Sequence, residues 1–114
     1  MTVGALQRRF ARLVGHLILK VYAEGYECSL DWAYRPPECA EHLAKAGKGI
    51  RSSNHTKRLA LDLMLFKDGE FLTDAAAYQW LGDWWTAQDP DARWGGNFTS
   101  RDAVHFSFEF EGVQ

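Results

Sequence analysis

Cysteine is nearly absent from this chain: Cys28 and Cys39 are the only two, and they form no C-x-x-C pair. Two such residues define no disulfide framework, so reduced thiols are the expectation, although sequence alone leaves a bridge open. Proline is also scarce, at three residues, and no linker, internal repeat or low-complexity segment divides the chain. Neither sign of charge dominates. Thirteen Lys and Arg stand against 15 Asp and Glu, a formal net charge of −2, which lacks the global basic signature of a nucleic-acid binder. Long hydrophobic runs are missing, so no segment is apolar enough to span a bilayer. Met1 to Arg12 has no basic start followed by an apolar run and a small-residue cleavage site, so no secretory signal is expected. Synthesis and folding in a cytoplasm follow as the expectation.

What is present suits one small domain, residues 1–114, with a modest core. Hydrophobic residues make up 46% of the chain, and five Trp, seven Phe and four Tyr promise an aromatic-rich core or cleft. Leu6, Phe10, Leu13, Val14, Leu17 and Val21 recur at helical spacing and predict an amphipathic helix over Val3 to Glu24, stopped by Gly25. Cys28 to Tyr34 reads as a strand. Pro36 and Pro37 suit the first turn of a second helix reaching about Ala46, with Gly47 and Gly49 beyond it. Leu59, Leu61, Leu63 and Leu65 alternate with Ala60, Asp62, Met64 and Phe66, the pattern of a strand with one strongly apolar face. Asp68-Gly69 marks a turn, and Phe71-Leu72 a short returning strand. Thr73 or Asp74 caps a third helix that reaches about Gln88, where Asp89-Pro90-Asp91 ends it. A last strand covers His105 to Phe110, with Phe106, Phe108 and Phe110 on one face. The fold expected is α+β: a small, mostly antiparallel sheet with flanking helices.

The chemistry is concentrated in two strings, Ser53-Asn-His55-Thr-Lys-Arg-Leu-Ala-Leu-Asp62 and Asp102-Ala-Val-His105. Two imidazoles and a carboxylate can hold a zinc ion and leave a coordination position open, as hydrolytic sites do. A further carboxylate beside them can act as a base. The seven-residue gap between His55 and Asp62 is not the helical H-E-x-x-H spacing. Convergence requires the loop before the strand to fold back, and antiparallel neighbours to bring Asp62 beside His105. The spacing leaves open which aspartate ligates and which serves as base.

The order of these parts resembles the D-alanyl-D-alanine carboxypeptidase-type zinc peptidases. The resemblance runs through Ser53-x-His55-x-x-x-x-Ala60-x-Asp62 and Asp102-x-x-His105-Phe106. Tyr34-Arg35-Pro-Pro-Glu38, Gly47-Lys48-Gly49-Ile50 and Trp94-Gly95-Gly96 agree with it, so that it spans roughly residues 22 to 110. It implies a zinc site at the sheet face, with one Zn²⁺ on His55, Asp62 and His105. It makes Asp102 the general base and gives Arg35 the oxyanion or the substrate to hold. Ser53 would bond substrate or the site loop. The family cleaves peptides of bacterial peptidoglycan. A short chain without a secretion signal fits best a phage endolysin of the L-alanyl-D-glutamate type. Such an enzyme would be monomeric, without a separate wall-binding domain, held in the host cytoplasm and active on the wall after the membrane is breached. Neither nucleic acid nor stable membrane insertion is expected.

Two departures stand out. Arg58 takes a place where the family usually has Gly, and Pro36 one where a small polar residue is common. Lys45, Lys48, Arg51, Lys57 and Arg58 lie in a stretch without Asp or Glu, which could form a cationic rim for anionic stem peptides or an ordinary solvated loop. Arg58 and Trp94 are therefore candidate substrate-binding residues. Trp84 and Trp32 are further candidates for the cleft, and Trp80 and Trp85 for the core. Gly95 and Gly96 read either as a close backbone approach to substrate or as a plain turn. His16, His42, Glu109 and Glu111 read as surface groups. A D,D- or L,D-carboxypeptidase is the nearest rival function. A catalytically silent wall-binding or virion module is the rival of another class.

Overall fold

The computed structural model describes residues 2–47 and 53–114. Lys48, Gly49, Ile50 and Arg51 of the anticipated glycine-containing approach and basic rim lie outside the described residues. Three helices and five strands follow in the order α1 (Val3–Ala23), β1 (Glu27–Leu30), α2 (Pro37–Lys45), β2 (Ala60–Lys67), β3 (Glu70–Phe71), α3 (Ala75–Gln88), β4 (Ala92–Trp94) and β5 (His105–Phe108). Short 3-10 turns at Asn54–Lys57 and Gly95–Asn97 precede β2 and follow β4. The α+β expectation therefore holds.

All strand pairs are antiparallel, in the order β1-β2-β5-β4, with β3 also pairing β2. Leucine alternation sets β2 so that Leu61, Leu63 and Leu65 face α1 and α3, where they join Phe10, Leu17, Val21, Tyr78, Leu81 and Trp85 in the core. The aromatic centre is edge-packed: Phe10 lies 5.8 Å from Trp85 and 5.3 Å from Phe108, both near perpendicular, a geometry favoured by ring quadrupoles. Its polar atoms are paired. Trp85 Nε1 donates to the Arg93 carbonyl at 2.9 Å. The Tyr78 hydroxyl donates to Leu72 O at 2.8 Å and accepts from Leu65 N at 2.9 Å.

Several boundaries differ from expectation. β1 stops at Leu30, though Asp31 N and Trp32 O continue to bond Asp62 at 2.9 and 3.1 Å. β5 stops at Phe108, because Glu109 N turns to Asp91 O and Phe110 pairs with Val113 in a tight return. The strand Ala92–Trp94 has no counterpart in the sequence reading. Asp68 and Gly69 have positive φ, 52° and 81°, as a two-residue hairpin turn demands. Cys28 and Cys39 are unbridged. No helix among the described residues is long and apolar enough to cross a membrane.

Candidate metal centre

Alternation that turns Leu61 and Leu63 into the core turns Asp62 to the opposite face, directly across from His105 in the β2–β5 register. Asp62 directs both its backbone groups to the β1 side, so the Asp62–His105 pair is not hydrogen-bonded across the ladder. Such pairs bring their side chains closest. His55 arrives from the 3-10 turn. Ser53 caps that turn, its Oγ accepting from His55 N at 3.2 Å. Leu59 N bonds Asn54 O at 2.9 Å, and Arg35 N bonds His55 O at 3.0 Å. The loop thus folds back over the strand end, as convergence requires.

His55 Nε2 lies 3.4 Å and His105 Nδ1 3.8 Å from Asp62 Oδ1. One ligand atom from each of the three residues lies within 4.8 Å of the others. Tetrahedral zinc with bonds near 2.1 Å separates its ligand atoms by about 3.4 Å, so small adjustments would suffice. His105 Nε2 faces the backbone oxygen of Gln114 at 3.3 Å. A backbone oxygen only accepts, so in a hydrogen bond to it Nε2 is the donor, and that tautomer turns the Nδ1 lone pair of the neutral ring toward Asp62. Asp62 Oδ1 is buried without a hydrogen-bond partner. Two lone pairs facing each other with no donor between them are what a cation would resolve, and the trio fits zinc.

Electrostatics agree. His105 is 7% exposed, and burial, then the neighbouring His55, lower its pKa to about 4, against the opposing pull of Asp62. A ring held neutral is the form that ligates metal. Asp102 stands at the edge of the cleft. Partial desolvation, then the charge of Asp62, raise its carboxyl above the ordinary range, while His55 and Arg35 pull it back. Its position is fixed through the backbone: Asp102 N bonds Gly95 O at 3.0 Å, and His105 N bonds Asp102 O at 3.1 Å. A Cβ on Gly95 would stand 2.1 Å from Asp102 O. Of the two readings of Gly95, the turn is the one observed, and its close approach is to the chain's own backbone.

The fold is similar to that of the Serratia marcescens L-Ala D-Glu endopeptidase ChiX. The TM-score is 0.64 at 20% identity, over 74% of this chain and 68% of the ChiX chain. No family model and no curated protein matches the sequence. At that identity the likeness to ChiX establishes the fold, and the site rests on its own geometry.

A cleft of about 440 Å³ opens on the trio and is lined by Arg35, Ser53, His55, Asp62, Phe98, Ser100, Arg101, Asp102, His105 and Gln114. Six of the eight anticipated site residues meet there: Arg35, Ser53, His55, Asp62, Asp102 and His105. Trp94 does not. It is 1% exposed, its Nε1 donates to Ala103 O at 2.8 Å, and a Cβ on either Gly82 or Gly96 would come within 2.2 Å of its ring. Trp94 is a buried prop beneath the Asp102–His105 turn. Arg58 does not line the cleft either. It borders a separate apolar cavity with Gln7, Arg8, Phe10 and Tyr34, and its guanidinium stacks 4.0 Å over the Tyr34 ring. Its φ of 58° is left-handed, a conformation that Gly adopts freely.

Trp84 borders a groove beside α1 with Leu13 and His16, and Trp32 lies 5.3 Å from the Arg35 guanidinium, but neither is among the residues that line this cleft. The basic rim is only partly described: Lys45 pairs with Glu41 at 3.5 Å, and among the described residues Arg35 and Arg101 are the cations that line the cleft. The sequence reading missed Phe98, whose ring lies 5.4 Å from that of His105, as well as Arg101 and Gln114. Arg101 adjoins Asp102, a signal that could have found it. Gln114 reaches the site only through the tight return after β5.

Proposed function

We propose that this protein is a zinc-dependent peptidase that hydrolyses peptidoglycan stem peptides, with L-alanyl-D-glutamate endopeptidase activity of the phage endolysin kind. The observation that carries the reading is the face-to-face pairing of Asp62 and His105, joined by His55, in one cleft with the Asp102 carboxylate. The fold shared with ChiX, an L-Ala D-Glu endopeptidase, supports this substrate class. Bound zinc would polarise the scissile carbonyl and acidify water. Asp102 then takes the proton of the attacking water and delivers it to the leaving amine, a role favoured by its raised pKa. Arg35 at the cleft wall stabilises the oxyanion or anchors substrate. Ser53 holds the His55 loop through its cap. Arg101 adds a second guanidinium for the free carboxylates of a stem peptide.

In this reading the enzyme is a monomer without membrane insertion or nucleic-acid partner. It resides in the host cytoplasm and acts on the wall once the membrane is breached. The test is mass spectrometry of fragments released from purified wall, with added zinc and with chelator. Zinc-dependent cleavage between L-Ala and D-Glu is expected. Release of free D-Ala would instead assign a carboxypeptidase, for which the two arginines would hold a terminal carboxylate. Equal release under full chelation would refute the zinc mechanism.

A further inference from the structure

The segment after β5 contacts the site in a way the proposed chemistry does not use. Glu111 and Gly112 have φ of 50° and 79°, and Phe110 and Val113 bond each other in both directions at 2.8 and 3.0 Å. This is a two-residue hairpin turn with both central residues left-handed. It returns Val113 and Gln114 alongside the site. Asn54, the residue before His55, donates from Nδ2 to Phe108 O and to Val113 O, each at 2.8 Å. One buried amide therefore ties the His55 loop to the strand of His105 and to the returning tail. The next residue, Gln114, presents its backbone oxygen to His105 Nε2 at 3.3 Å.

We propose that the return Phe110–Gln114 is a positioning element for the metal ligands, with Gln114 O selecting the His105 tautomer that leaves Nδ1 free to ligate and Asn54 coupling that choice to the His55 loop. The proposal rests on the metal-site reading of His55, Asp62 and His105. A histidine ligand commonly gives its second N–H to a carbonyl or carboxylate, which fixes ring orientation and raises basicity. Here that partner comes from a five-residue return that holds no ligand of its own.

The test uses Gly112, which touches neither the trio nor the cleft. A Cβ added there meets nothing within 4 Å, so a substitution acts through backbone conformation alone. Gly112→Val disfavours the left-handed turn strongly, Gly112→Ala less so, and Gly112→Asn tolerates it. In the full chain, chelator competition should show zinc binding weakened by about 10- to 100-fold in Gly112→Val, by less in Gly112→Ala, and held near wild type in Gly112→Asn. Nitrogen NMR of His105 in metal-free protein at neutral pH should show a single Nε2–H tautomer in wild type and a mixture in Gly112→Val. A folded Gly112→Val or Gly112→Ala protein that keeps both wild-type affinity and the single tautomer overturns the proposal. So does a wild-type His105 that is not Nε2–H. A wild-type protein that binds no zinc would defeat the metal-site reading instead, while the tautomer comparison still decides the role of the return.

Discussion

The two faces of the β2–β5 pair are built from alternate residues of the same strands, yet they obey opposite rules. On one face Leu61, Leu63, Phe106 and Phe108 pack against α1 and α3. Trp85 Nε1, Trp94 Nε1 and the Tyr78 hydroxyl all find partners there, and Trp80 Nε1 is the exception. On the other face Asp62 and His105 are enclosed, and Asp62 Oδ1, His55 Nδ1, Asn54 Oδ1 and Ser107 Oγ are buried without a hydrogen-bond partner. Unpaired buried polar atoms cost free energy. The first face holds the fold together, and the second is carried by it at a cost that a bound cation would relieve at Asp62 Oδ1. Substitutions on the two faces should therefore separate stability from chemistry.

The sharpest separation is at Asp102. Asp102→Asn should lower peptide hydrolysis by about 10²- to 10⁴-fold, the usual contribution of a general acid–base group. Zinc affinity should remain, because the trio is intact. The folded state raises the Asp102 pKa, so its ionised form disfavours folding. The neutral amide should then leave the melting temperature unchanged or slightly higher at neutral pH. Wild-type turnover in this variant would remove Asp102 from the mechanism.

Neighbouring residues on β2 test the two faces directly. Leu61→Ala should lower stability by about 2–5 kcal/mol through cavity formation and lost burial. Asp62→Ala should abolish stoichiometric zinc binding yet leave metal-free stability near or above wild type. Urea denaturation in chelator, paired with metal analysis, gives both readouts. Equal destabilisation by the two substitutions would mean that the faces do not differ as described.

Acid should act through the polar face. The folded state lowers the His105 pKa from 6.5 to about 4. Below 6.5 the unfolded chain takes up a proton that the folded chain refuses, so stability falls as pH drops from 6.5 to about 4, with no contribution from this group above that window. The loss for metal-free protein is at most about 3 kcal/mol, on 1.36 kcal/mol per pKa unit. Zinc should defer it, because a ligated imidazole stays deprotonated. Urea midpoints measured across this range in chelator, if flat, would contradict the burial of His105.

The core face was the more legible of the two in sequence. Its alternating leucines and its helical stripe Leu6, Phe10, Leu13, Val14, Leu17 and Val21 are periodic over many residues, and all are buried except Leu13 and Val14, which pack half-buried against the core. The two histidines and two aspartates were legible as a candidate set, while the choice of Asp62 over Asp102 as ligand came from the resemblance to the zinc peptidases and not from spacing. Less was readable where position depends on distant partners. β4 is three residues long, too short for a period, so Trp94 read as a cleft aromatic rather than a wedge between Gly82 and Gly96. The Asn54 bonds span 54 and 59 residues, and no local signal announces them. Likewise, the left-handed backbone at residue 58 is hidden by an arginine where glycine would have declared it.

That arginine supplies the smallest effect and the most specific check on the site boundary. An L-residue in left-handed backbone costs about 1–2 kcal/mol relative to the helical region, and Arg58→Gly removes that strain. The same substitution deletes the guanidinium stacked on Tyr34, a contact of about 0.5–1 kcal/mol at an exposed site. It also frees the unfolded chain, which lowers stability by a comparable amount. These terms oppose one another, so the net shift should stay within about 1 kcal/mol. Since Arg58 borders the cavity beside α1 and not the cleft of the trio, kcat/KM on stem peptides should remain at the wild-type value. Arg101→Ala, on the cleft wall, should raise KM for the same peptides. A rise in KM confined to Arg58→Gly would move the substrate path to the Tyr34 side of the His55 loop.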